Sequence, residues 1–543
     1  MQRLPKVTTR MGNLLRAAPS PLSTAAPTPT LTAAATPSRR QSTALDTGVP
    51  TSPQSSSGRT YAQLAIQPSN LPASSVTTWI SDLAANTTLA DLSDVTVARS
   101  KRMLLDTLGV GILGYSTDIA ATVTRCTLNA ANTGRSDNPS KEGEATIWGS
   151  SGRTAPPSLA AYINGVSAHS MDFDDTWYPA THPSGPVLPA VIALAESMTG
   201  DHKPSLADIL VAYNVGIQVQ GLLLRCSDSA KAIPDRFHPP AVVGVMGSAA
   251  ACARLLGGGP STVRHALAIA TSFAGAPMAN AGTTTKPLHA GKAARFGLEA
   301  ALLADHGLEG NHDILDMSSG FGAFYHDYDP EGFLLEHSTS TDFILHSQDV
   351  AIKRFPAHLG MHWTIDAVLA VRDRVLEAAN THRQLRPEDV RLINIRAPPS
   401  KYINRPLPTT THEARHSFQF NACSALLDGE VTPDSFMHSY RRRPQLQALL
   451  KKTTIETPAD NVPTFQDMYV EVEVTLRSGE VFTGRCDTPY GHWRHPLTKE
   501  DLHKKFTNNT KVVPYNAQRA IMDTVGSMDS DRPATDFFHM LKA

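Results

Sequence analysis

Apolar and polar residues recur along this chain with two different periods, and the change of period divides it. From about residue 70 to about residue 350 the pattern is helical throughout. Ser93 is placed to cap a helix over Val95–Leu113, and Ser205 to cap one running to about Leu224, because a serine hydroxyl can accept from a free N–H of the first turn. The stretch Ala241–Leu256 is apolar and rich in glycine and alanine, which lets its helix lie close to neighbours. The glycines that follow, Gly257-Gly258-Gly259-Pro260, lack the GxGxxG register after a strand, so they read as a helix stop and not as a nucleotide loop.

Beyond about residue 385 the period shortens. Val390-Arg391-Leu392-Ile393-Asn394-Ile395 reads as a strand, and Val470, Val472, Val474 and Leu476 alternate with Glu471, Glu473 and Thr475. That period of two marks a half-buried strand, and Ser478-Gly479 turns it into Val481-Phe482-Thr483, a hairpin. After Pro496 the pattern is helical again. The expected fold is mainly α: a large all-helical domain over 71–350 and 491–543, with a smaller α/β domain inserted over 351–490.

One segment breaks the smooth apolar pattern. Met171–His182 packs Asp172, Asp174, Asp175, Thr176, Thr181 and His182 into a turn-prone run between apolar Ala160–Ile163 and Val187–Ile192. Buried carboxylates are costly unless paired or working, so this cluster is the first candidate site. A calcium loop fails on detail, since Trp177 stands where an EF-hand needs glycine and Pro183 where it needs glutamate.

Composition narrows the classes. The chain has 543 residues, 41% hydrophobic, with a formal charge of −1, which gives no case for nucleic-acid or anionic-membrane partners. No run is expected to reach the roughly 18–20 apolar residues that span a bilayer. Five scattered cysteines without a CxxC pair exclude a disulfide scaffold or zinc ribbon and suit a reducing compartment. Met1–Leu45 contains no acid and six basic residues, the composition of a mitochondrial transit peptide. We expect that peptide over 1–42, a polar linker over 43–70, and a matrix location.

Further candidates lie downstream. His238 precedes Pro239-Pro240, which pushes it to an extended backbone on a stiff loop. Thr283-Thr284-Thr285-Lys286 opens a helix running to about Ala304, a natural anion site. Lys353-Arg354 places two cations ahead of a helix, and Tyr402 sits in Lys401-Tyr402-Ile403-Asn404-Arg405-Pro406. His412-Glu413-Ala414-Arg415-His416 matches HExxH, with Thr411 as its cap; a zinc peptidase is the reading from a different class. Taken together, carboxylate, hydroxyl, imidazoles, lysines and a phenol suit a small polyanionic acid worked by proton transfer without a cofactor.

The blocks D-F-D-D-T-W-x-P-A-T-H-P-S-G, R-F-H-P-P, G-A-P-M-A-N-A, T-K-P-L-H, K-R-F-P-A-H, Y-x-N-R-P and H-E-A-R-H-S-F-Q together resemble the MmgE/PrpD family. The resemblance runs from about residue 70 to the C-terminal region. It implies a homodimer, a helical domain with a smaller lid, no metal or organic cofactor, and a small tricarboxylate substrate. The implied reaction is decarboxylation of cis-aconitate to itaconate, with dehydration of 2-methylcitrate as the sister reading. Dehydratases of the family tend to read D-F-N-D-T where this chain has Asp174, which favours the decarboxylase. Its active-site positions fall on Asp172, Thr176, His182, His238, Lys286, Lys353 and Tyr402. The lysines are expected to hold carboxylates, His182 or His238 to supply a proton, and Asp172 to orient an imidazole.

Overall fold

The computed structural model describes residues 75–130, 143–178, 181–200, 203–231, 235–338, 342–380, 385–400 and 404–542. The expected transit peptide, the linker and Tyr402 lie outside the described residues. The fold is mainly α, as the apolar periodicity predicts.

The first hydrophobic core gathers the helices Asp94–Gly114, Pro157–His169, Ser184–Ser197, Leu206–Leu223, Val243–Leu255 and Pro287–Asp305. Both expected caps form. Ser93 accepts from the N–H of Thr96, and Ser205 accepts from that of Asp208, whose carboxylate returns a bond to the Ser205 N–H. Leu206–Leu223 is, by length and composition, apolar enough to cross a membrane, which corrects the expectation that no segment would be. Here every residue of it except Asp208 is buried, as in the core helix of a globular fold.

Two glycine contacts set the helix spacing. A Cβ on Gly247 would stand 2.5 Å from the carbonyl oxygen of Gly216, and one on Gly165 would stand 2.9 Å from the Cα of Gly291. The second crossing presses Pro157–His169 against Pro287–Asp305. It thereby brings His169, at the end of one helix, near the first turn of the other. The C-terminal helices Lys499–Asn509, Tyr515–Gly526 and Thr535–Leu541 rejoin this core through Phe506, Ile521 and Phe537.

A second core is built from residues between Ala351 and Cys486. Apart from a short ladder of β1 (Ala145–Thr146) and β2 (Thr154–Ala155), the described strands are here: β3 (Val390–Arg396), β4 (Thr453–Glu456), β5 (Val470–Leu476) and β6 (Val481–Cys486). Their order is β4-β3-β5-β6, with β3 and β4 parallel and the other pairs antiparallel. Val470, Val472 and Val474 bury one face, as the alternation predicts. The helix Met361–Ala378 covers β5 and β6, and Phe418–Asp428 packs on that helix.

Candidate active site

The Met171–His182 segment is held in place from four sides. Thr176 exchanges two backbone hydrogen bonds of 2.9 Å with Ala351, which sets the loop beside Lys353. Trp177 and Thr181 pair at 2.8 and 3.1 Å, and so turn the chain back towards His182. Arg415 donates to the carbonyls of Met171 and Pro356, and Lys505 donates to that of Phe173 at 3.1 Å. Within this frame Asp172 has φ of 52°, a left-handed conformation that aspartate tolerates better than most side chains.

The three aspartates have three different fates. Asp172 meets two ammoniums, Lys353 Nζ at 2.5 Å and Lys286 Nζ at 3.2 Å, with the His416 imidazole Nε2 at 3.4 Å, while Lys353 also donates to the Asp172 carbonyl at 2.9 Å. Burial alone would raise the Asp172 pKa, but Lys286 and Lys353 outweigh it and hold the carboxyl well below the usual range. Asp174 meets imidazoles, with Oδ2 at 2.8 Å from His169 Nδ1 and 3.3 Å from His182 Nδ1. Its burial is likewise outweighed, here by His169 and His182, so it too is a carboxylate. Asp175 meets neither. Burial pushes it up to about 8, and it bonds to the Ser184 hydroxyl, which in turn lies 2.5 Å from the Tyr213 hydroxyl.

The expected pairing is thus corrected in part. The aspartate that holds His169 and His182 is Asp174, whereas Asp172 chiefly joins the two lysines. The physical reason is the backbone: Asp172 and Asp174 flank Phe173 on a tight loop, and their side chains reach opposite partners.

His238 has the extended backbone predicted for a pre-proline residue, with φ −76° and ψ 118°. Its N–H donates to Ala276 at 2.9 Å, and its Nδ1 lies 3.1 Å from that of His289. Burial, then the nearby Lys286, drives His238 well below its ordinary pKa, so the ring is neutral in the free site. Burial likewise takes His169 and His289 down to about 4. His182 Nδ1 donates to the Asp175 carbonyl at 3.0 Å. A carbonyl can only accept, so this bond fixes the proton on Nδ1 and leaves Nε2 for chemistry. Lys286 ends the Thr-rich turn, and the helix starts one residue later at Pro287. The lysine therefore points its ammonium at Asp172 instead of leaving the helix end to bind anions alone.

A cavity of about 300 Å³ opens onto this assembly. Thr176, His182, His238, Lys286 and Lys353 line one side, and His358, His416 and Phe465 line the other. The first set comes mostly from the helical core, and the second from residues of the α/β region. Five of the seven positions read from the sequence line the cavity; Asp172 stands behind the lysines and Tyr402 lies outside the described residues. His169, His289 and His358 were missed, for none carries a distinctive local pattern.

His416 was hidden inside the HExxH match. The helix there runs over Thr411–Arg415, and its cap is Thr410, one residue before the expected Thr411. Glu413 spends its carboxylate on the Thr409 and Thr410 backbone N–H groups at 2.6 and 3.3 Å. His416 is past the helix end and turns its Nδ1 to the His412 carbonyl at 2.9 Å. The two histidines do not share a zinc-binding helix face, and the glutamate is not free to act as a base.

The chain matches the family models for the MmgE/PrpD N-terminal domain over residues 78–333 and the MmgE/PrpD C-terminal domain over 355–529. It belongs to the MmgE/PrpD family. Relatives in this family include a mouse protein named cis-aconitate decarboxylase, 48% identical over 83% of this chain and 90% of its own length. A human protein of the same name is 48% identical over 81% of this chain and 88% of its own. A protein of that name from Aspergillus terreus is 24% identical over 86% of this chain and 96% of its own. The MmgE/PrpD match spans both cores, so the cavity is lined by residues from each half of the family's pattern.

Proposed function

We propose that this protein decarboxylates cis-aconitate to itaconate, using the ammoniums of Lys286 and Lys353 with the imidazoles of His182 and His238 and no bound cofactor. The observation that carries the reading is the cavity wall itself. Two ammoniums, each paired with Asp172 among the described residues, stand beside imidazoles in a space sized for a six-carbon acid. The names of relatives at 48% identity supply the substrate.

Loss of CO2 breaks the bond between the methylene carbon and its carboxylate, leaving an electron pair delocalised over the allylic system towards the far carboxylate. A proton added at the far carbon gives itaconate, so each turnover consumes one proton and releases one CO2. Lys286 and Lys353 would hold the carboxylates and stabilise the charge that grows on the far one; such electrostatic stabilisation usually contributes most to the rate. Thr176, lining the cavity with a hydroxyl that has no hydrogen-bond partner among the described residues, would bond to substrate, and Tyr402 is assigned to the same role by the family block.

His182 or His238 would give the proton, and the negative charge of the substrate would favour the protonated ring. Asp174 would keep His182 in register. The α/β region between about 351 and 490 would act as a lid over the helical domain, and the basic Met1–Leu45 stretch supports a matrix destination for a homodimeric enzyme. The test is NMR of purified protein with cis-aconitate and no added metal. Itaconate is expected; turnover of 2-methylcitrate with none of cis-aconitate overturns the proposal.

A further inference from the structure

Three of the imidazoles in this site do more than sit near one another. One ring nitrogen each from His169, His182 and His238 lies within 4.8 Å of the other two, and all three residues are buried. In each ring Nδ1 is already engaged by a group outside the trio. Asp174 takes that of His169 at 2.8 Å, the Asp175 carbonyl that of His182 at 3.0 Å, and His289 that of His238 at 3.1 Å. Nε2 is what each ring has left. His169 Nε2 is fully buried with no hydrogen-bond partner among the described residues, a condition that costs about 1–3 kcal/mol in a folded protein.

We propose that His169, His182 and His238 form a binding site for a borderline divalent cation, with Zn2+ the best match, and that its occupancy inhibits the enzyme. Three imidazoles, two of them on the cavity wall, are the donor set that zinc takes with a fourth position free. The outer groups are also those a zinc site uses: a carboxylate behind one imidazole, a backbone carbonyl behind the next. Asp174, the carboxylate not committed to the lysines, supplies compensating negative charge, and both it and Asp172 offer an oxygen within 4.8 Å of His182's nitrogen. Zinc–nitrogen distances of about 2.0–2.1 Å ask the rings to turn and draw together so that the three Nε2 atoms meet on one ion. A bound cation occupies the His182 and His238 Nε2 lone pairs, so neither Nε2 can deliver a proton to substrate. The inhibitory half of the proposal rests on the decarboxylase reading; the binding half does not.

The test titrates chelator-treated full-length protein with Zn2+ alone, in the absence of substrate, by calorimetry. One ion per chain is expected. Asp174→Asn should weaken binding about 10–100-fold, the range for a carboxylate behind a liganding histidine, and His169→Gln should weaken it further. His412→Gln should leave it unchanged. No binding by the wild type, or unchanged affinity in both site variants, overturns the site. Should either variant fail to fold, Co2+ in the wild type decides: intense visible bands of a four-coordinate ion, bleached by Zn2+, are expected, and only the weak spectrum of a six-coordinate ion overturns it. Itaconate formation should fall as Zn2+ fills the site and return with chelator. Stoichiometric binding with unaffected turnover overturns inhibition. A protein that binds zinc but never turns over cis-aconitate overturns the decarboxylase reading and leaves the site standing.

Discussion

Asp172 and Asp174 stand two residues apart in one loop, and their surroundings could hardly differ more. The first is a counter-ion wedged between two ammoniums; the second is an acceptor beneath two imidazoles. Both are buried and both remain carboxylates, each stabilised by a different kind of neighbour. A single loop thereby separates charge compensation from proton handling. The wall that grips an anion and the wall that moves a proton can each be tuned without rebuilding the other.

The largest effect should come from the imidazole wall. His182→Ala and His238→Ala should each lower kcat by about 10²–10⁴-fold, the usual worth of a general acid; near-normal turnover in both would take the proton role away from this wall.

On the other side, Asp172→Asn leaves two buried ammoniums unpaired, and breaking such a group costs about 3–5 kcal/mol. Chemical denaturation should read that loss. A tricarboxylate ligand should raise Tm more in the variant than in the wild type, and equal shifts would mean that the lysines do not bind it. Lys353→Met should cost about 10²–10³-fold in kcat/KM, as for the loss of one group aimed at developing charge. Lys286→Met tests whether the two walls are independent. Lys286 follows burial among the causes that depress His238, so NMR titration should find that ring's pKa higher in the variant.

Acid gives a smaller, graded effect. Burial takes His416 and His492 down to about 4, against about 6.5 in the unfolded chain. Between those values the unfolded state binds more protons, so the stability these rings allow is complete above about pH 6.5 and is lost as pH falls towards 4. The loss should be on the order of 1–3 kcal/mol for a fully buried ring, seen as a falling denaturation midpoint. Last, Gly291→Ala should cost about 1–3 kcal/mol by overpacking the crossing against Val166 and the Tyr162 carbonyl, and a neutral result would mean that the helices can part without disturbing His169.

Much of this was legible from sequence because local signals carried it. Serine caps, the alternation at Val470–Leu476 and the pre-proline backbone of His238 depend on near neighbours, and all three formed as expected. The aspartate cluster marked the right loop. Which aspartate served which partner was not legible, because it depends on the φ of Asp172 and on residues more than a hundred positions away. His169 had no signal at all: it is the last residue of an ordinary helix, and its partners Asp174 and His182 come from the folding of the loop that follows. His416 had a misleading one, since spacing alone cannot tell that a helix ends one residue too soon.

The bond from Lys505 to the Phe173 carbonyl joins residues 332 positions apart, and the same ammonium pairs with Asp106 at 2.5 Å. During synthesis the loop emerges from the ribosome long before its anchor does. At about 5–20 residues per second that interval is on the order of tens of seconds. The reactive loop therefore waits through that interval without its anchor, and the pocket cannot be complete until Lys505 has emerged.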